Sequence, residues 1–129
     1  MMHWFKKETP KDPWDEELAG PLSDLAAAKK IRAICKAASA GAQQLNGSGY
    51  KGGNQGRKQD AERYARAARK AMELAMSIAN DPLRDIAVRQ IIGLCMILQN
   101  FQTAQILVRA IRSEAIKGEV LKEHPGLRQ

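Results

Sequence analysis

Two stretches of this chain repeat each other at a constant offset of 33 residues. Ala71, Leu74, Ala75, Ile78, Asp81, Leu83, Arg84 and Ala87 reappear as Ala104, Leu107, Val108, Ile111, Glu114, Ile116, Lys117 and Val120. Apolar residues fall on apolar ones, acid on acid and base on base. Within each stretch the apolar residues recur every three or four positions, which is the face of a helix. A fixed period of this size is what stacked helical hairpins leave in a sequence, because each unit buries the same face against its neighbour. The feature predicts an all-α fold. Such units build surfaces for binding and carry no chemistry by themselves.

The rest of the chain divides around these helices. Residues 1–20 read as an N-terminal arm, broken by Pro10 and Pro13. Trp4, Phe5 and Trp14 are placed to pin that arm to the body. Residues 21–124 form a single helical domain, and residues 125–129, opening with Pro125-Gly126, a C-terminal tail. The first helix starts at Pro21. Its apolar stripe is Leu25, Ala28, Ile31, Cys35, Ala38, Ala42 and Leu45. Residues 47–58 hold five of the ten glycines and no aliphatic core residue, which predicts a mobile, basic loop. A second helix spans about 59–79, with Tyr64, Ala67, Ala71, Leu74 and Ile78 inward. Asp81 is expected as the cap of the third helix, with Pro82 first inside it. That helix has no polar side from Ile91 to Leu98, so Ile91, Ile92, Cys95 and Leu98 should be buried at the centre. A fourth helix covers about 102–112, and an amphipathic segment over 114–124 caps the end. The expected architecture is a compact bundle of four long helices in repeat-like hairpins, with a short C-terminal capping helix.

Over about residues 60–122 this pattern resembles the tetratricopeptide-type repeat, a helical hairpin of roughly 34 residues. Val88, Ile91, Ile92 and Cys95 match its first helix, Phe101 the aromatic at the turn, and Ala104, Val108 and Ile111 its second helix. Ala71, Ala75 and Ile78 match the second helix of the unit before, and Leu121 opens the unit after. Ile92 and Gln99 stand where the family usually has glycine. The resemblance implies protein binding and carries no ligand-holding residue over to this chain.

Charge points to the sign of a partner. Residues 21–70 hold eleven bases against three acids, a net +8 that exceeds the +7 of the whole chain. The candidate binding residues are Lys29, Arg32 and Lys36 on the first helix, Lys51, Arg57 and Lys58 in the glycine-rich segment, and Arg63, Arg66 and Lys70 on the second helix. If the first two helices are antiparallel, these are expected to join in one basic surface. A partner protein with an acidic surface fits it; nucleic acid, bound through phosphates, is the alternative. The glycine-rich segment follows a helix and lacks the Gly-Lys-Ser/Thr ending of a phosphate loop. No catalytic set is expected, because His3 and His124 lie near opposite ends of the chain and Cys35 and Cys95 lack metal-ligand spacing. The reading is therefore a non-enzymatic binding module with no cofactor and no metal. The longest apolar run, Ile91 to Leu98, is far below the roughly 20 residues that span a bilayer. With no signal-peptide stretch at the N-terminus, the expected location is cytoplasmic and without membrane insertion.

Overall fold

The computed structural model describes residues 12–16, 20–47 and 49–128. These form five α-helices: α1 (Asp24–Leu45), α2 (Gly53–Met76), α3 (Asp81–Ile97), α4 (Phe101–Ala110) and α5 (Glu114–Glu123). A 3-10 turn, Pro13–Asp15, precedes them and another, Pro125–Leu127, follows. No strand occurs among the described residues. The fold is all-α, with three longer helices and two of ten residues.

Four of the five helix starts are written locally. Ser23, Asn80, Asn100 and Ser113 each accept a hydrogen bond from the backbone N–H three residues on, satisfying one of the four N–H groups a helix start leaves unpaired. For α3 the cap is Asn80 instead of Asp81, one residue earlier than the sequence suggests. The start of α2 differs more. It begins at Gly53, so residues 53–58 of the expected loop are helical. Glycine is a poor helix former, but side chains hold this end. The Tyr50 hydroxyl donates to the Asp60 carboxylate at 2.8 Å. The Arg57 guanidinium lies 4.6 Å from the Tyr50 ring centre and donates to the Leu45 carbonyl at the end of α1. Gly53 makes the entry, at φ +70.

The helices stack as hairpins. Asp24, at the start of α1, accepts from the backbone N–H groups of Ala79 and Asn80 just beyond α2, so α1 and α2 run antiparallel. The Asn46 amide donates to the Ile97 carbonyl, which sets the ends of α1 and α3 side by side. Asp85, early in α3, accepts from Arg112 and Ser113 after α4, at 3.1 and 2.9 Å. Ala79–Asn80 and Arg112–Ser113 are 33 residues apart, and Asn80 and Ser113 each cap the helix that follows. The two halves of the repeat therefore share their turn geometry, each turn being clamped by a carboxylate from the helix before the hairpin's return.

The core lies where α1, α2 and α3 meet. Ile31, Ile34, Ala38, Ala67, Ala71, Ile91, Ile92 and Leu94 are fully covered, and Ala104 and Val120 extend the core under α4 and α5. Ile91, Ile92 and Cys95 are central, as expected. Leu98 is only partly buried, because it is the C-cap of α3 and not a residue of its interior. In α1 Ile31, Cys35, Ala38, Ala42 and Leu45 are buried as expected, and Ala27 and Ile34 are buried as well, while Leu25 is 57% exposed. The helix packs against α2 on one flank and α3 on the other, so its covered face is broader than a single stripe. At the end of α3, Gln99 adopts φ +63. The N–H of Asn100 donates to the Cys95 carbonyl and that of Gln99 to Met96. This is a Schellman closure with glutamine at the position glycine usually takes.

Candidate binding surfaces

The nine basic residues separate into three groups. Lys29, Arg32 and Lys36 are exposed on the flank of α1 that faces α3. None has an ion-pair partner among the described residues. They edge a groove between the two helices. Its larger part, about 600 Å³, is lined by Arg32, Cys35 and Lys36 on one side and Gly93, Leu94 and Ile97 on the other, with His124 at its margin. Its smaller part, about 250 Å³, is lined by Leu25, Ala28 and Lys29 against Leu83 and Ile86. Arg32 and Gln90 border both parts. A side chain built at Gly93 would meet nothing within 4 Å, so the groove is open at that point. Leu25 and Ile86, 57% and 48% exposed, present large apolar surface to solvent. An apolar groove with charges of one sign along one edge is suited to a segment with an apolar face and the opposite charge.

Arg63, Arg66 and Lys70 stand on the other side of the α1–α2 pair. Residues 12–16 pack there. Arg63 holds Asp12 by two hydrogen bonds, at 2.9 and 2.7 Å, which push its guanidinium pKa up, with burial opposing the shift. Arg66 meets Asp15 at 3.4 Å, and Lys30 of α1 pairs with Glu16. Lys70 lies 3.9 Å from Glu73. The third group, at the joint of α1 and α2, is divided. Lys51 and Lys58 are exposed, while Arg57 turns onto Tyr50 and the Leu45 carbonyl. The single continuous basic surface expected from antiparallel helices does not form. The α1 row faces α3, while Arg63 and Arg66 of α2 face an acidic segment of the chain itself and Lys70 lies by Glu73 of its own helix.

Cys35, Cys95, Asp85 and Arg89 serve the packing of the helices. Burial pushes the Cys35 thiol up to about 12, with the nearby Cys95 adding to the shift, and pushes the Cys95 thiol up to about 11. Both stay neutral and unreactive near pH 7. Asp85, 2% exposed, is used in the α4–α5 turn. Arg89 ties α3 to α5 through Glu119 and Glu123, at 2.7 and 2.5 Å. Among the described residues no group of three or more His, Cys, Asp or Glu is placed to hold a metal ion, and no helix is long and apolar enough to cross a membrane.

No family model matches this chain, and neither a curated protein nor a solved structure is significantly similar to it. The groove residues Gly93, Gln90, Leu25 and Ile86 were not marked by the sequence as functional. One signal was available: Gly93 interrupts the otherwise apolar run from Ile91 to Leu98, and an isolated glycine there points to packing or close approach.

Proposed function

We propose that this protein is a non-catalytic binding module, an adaptor or regulator that holds an acidic, amphipathic segment of another protein in the α1–α3 groove. The observation that carries the reading is the row Lys29, Arg32 and Lys36, unpaired among the described residues, along the edge of an open apolar groove. Apolar burial in such a groove supplies affinity. The charged edge selects the sign of the partner and speeds encounter. The groove follows from the repeat: α1 and α3 run side by side as first helices of successive hairpins, and a tetratricopeptide-like reading of the fold agrees with that placement. A protein partner is favoured over nucleic acid because the two tyrosines nearest the bases are engaged. Tyr64 is buried, and Tyr50 is tied to Asp60 and Arg57. Tyr64 therefore offers no face for a base to stack on, and Arg57 already covers one face of Tyr50.

The test starts with capture of partners from the native source, with and without nuclease. An acidic segment of the captured protein is then titrated as a peptide against the purified chain. The combined Lys29→Glu, Arg32→Glu and Lys36→Glu variant should lose that peptide while keeping its helix content. Gly93→Leu, which fills the groove, should lose it without any change of charge. Retention of full affinity by both variants refutes the site. Loss of every partner on nuclease treatment, with steep salt dependence on generic nucleic acid, refutes the protein-binding reading in favour of the other.

A further inference from the structure

Residues 12–16 lie on the α1–α2 flank as a ligand lies in a site. We propose that this flank is a second peptide site, filled in the isolated chain by its own residues 12–16, and that it accepts a partner segment of the same chemistry: an aromatic side chain set between carboxylates. The site is on the opposite flank of α1 from the α1–α3 groove and does not depend on that groove's function.

Its floor is aromatic. The Tyr64 ring seats against Gly41 of α1, where the Cβ of any other residue would overlap the phenol. Trp14 lies edge-on to that ring, with centroids 6.1 Å apart and planes at 60°, and is only 5% exposed. Its walls are basic. Lys30, Arg63 and Arg66 each meet a carboxylate of the short segment: Glu16, Asp12 and Asp15. The match of three bases to three acids around one indole defines what the flank selects.

The resident segment is also an imperfect occupant. The Trp14 Nε1–H is buried with no acceptor, the one such side-chain atom found among the described residues, and an unpaired buried donor is costly. Among the described residues, the one backbone hydrogen bond of residues 12–16 is internal, from the Asp15 N–H to the Asp12 carbonyl. Only side chains tie the segment to α1 and α2. The Arg63 and Arg66 side chains remain 44% and 46% exposed, so their ion pairs are screened by salt. A segment held in this way opens without unfolding the helices, and a competitor that binds only the open form shifts it there.

The experiment uses a labelled peptide with the sequence of residues 11–17 and the full chain. A variant carrying Asp12→Asn, Trp14→Ala and Asp15→Asn removes the resident contacts. It should bind the peptide at least tenfold more tightly than the parent does. Binding should weaken with added salt and disappear when Arg63→Glu and Arg66→Glu are added. Affinities within twofold of each other, or no binding by a variant that keeps its helix content, overturn the proposal. If the variant loses helix content, the parent itself decides: the Asp15 amide should exchange at least a hundredfold faster than the Ile34 amide of α1. Exchange of the two amides together overturns it. A concentration-dependent dimer of the parent, lost in the variant, assigns the site to a second copy of this chain and overturns the choice of partner.

Discussion

Asp85→Ala is the substitution that most directly tests the repeat geometry. Asp85 is 2% exposed, and its two oxygens accept from the N–H groups of Arg112 and Ser113 at 3.1 and 2.9 Å. Ser113 in turn caps α5. Alanine leaves both donors without a partner. Hydrogen bonds to a charged group contribute about 1.5–3 kcal/mol each. Removing the carboxylate also returns the desolvation cost of a buried charge, so the net loss is less than the sum. We expect about 3 kcal/mol, which for a domain of this size lowers the melting temperature by about 10 °C. Asp85→Asn keeps one acceptor but turns its NH₂ toward the other donor, for a loss of about 2 kcal/mol. Asp24→Ala is the internal control. Asp24 clamps the equivalent turn, but it is only partly buried and water can replace it, so its loss is about 1 kcal/mol. The assay is urea unfolding, with the midpoint falling in that order and the slope unchanged. A loss below about 1 kcal/mol for Asp85→Ala, or an equal loss for Asp24→Ala, refutes the argument that buried charge-assisted bonds hold the α4–α5 turn.

Three further outcomes follow from Gln99, Gly41 and the two buried thiols. Gln99 is held at φ +63, so Gln99→Gly should raise stability by about 0.5–1 kcal/mol, read as a higher urea midpoint; a fall would mean the Gln99 side chain makes a contact worth more than the backbone strain. Gly41→Ala should cost about 2–4 kcal/mol, because the new Cβ overlaps the Tyr64 ring and must displace it from the α1–α2 interface; a melting temperature equal to the parent's would show that the ring moves freely. The thiols predict an alkaline effect. Cys35 and Cys95 titrate at about 12 and about 11 in the fold, above the 9.0 of an open chain. The unfolded state therefore gives up these protons first, and stability is full below about pH 9 and falls as pH rises toward 11 and 12. Replacing both cysteines by alanine should flatten that decline, and an unchanged slope would remove the thiols from it.

What the sequence determined by itself was local or periodic. Ser23, Asn80 and Ser113 cap helices because a short polar side chain reaches an N–H three residues away, but the sequence alone pointed to Pro21 and Asp81 for the starts of α1 and α3, so it placed these helices without fixing their caps. The 33-residue offset showed that the turns after α2 and α4 are equivalent. The unbroken apolar run in α3 placed Ile91, Ile92 and Cys95 at the centre, since a helix with no polar side has to be surrounded. The candidate bases were legible as residues but not as a surface. Arg63 and Asp12 are 51 residues apart, and no local pattern joins them. The side of α1 that faces α3 was likewise open, because Lys29 and Lys30 are neighbours in sequence but lie on different flanks of the helix. Only packing decided that Lys29, Arg32 and Lys36 edge a groove while Lys30, Arg63 and Arg66 meet carboxylates of the chain itself. The early start of α2 was decided in the same way, by Tyr50 and Arg57 acting on a glycine-rich stretch that has little helix propensity alone. Propensity and capping act over three or four residues. The pairing of distant charges and the opening of a groove depend on which helix faces are brought together, and that is settled only when the core closes.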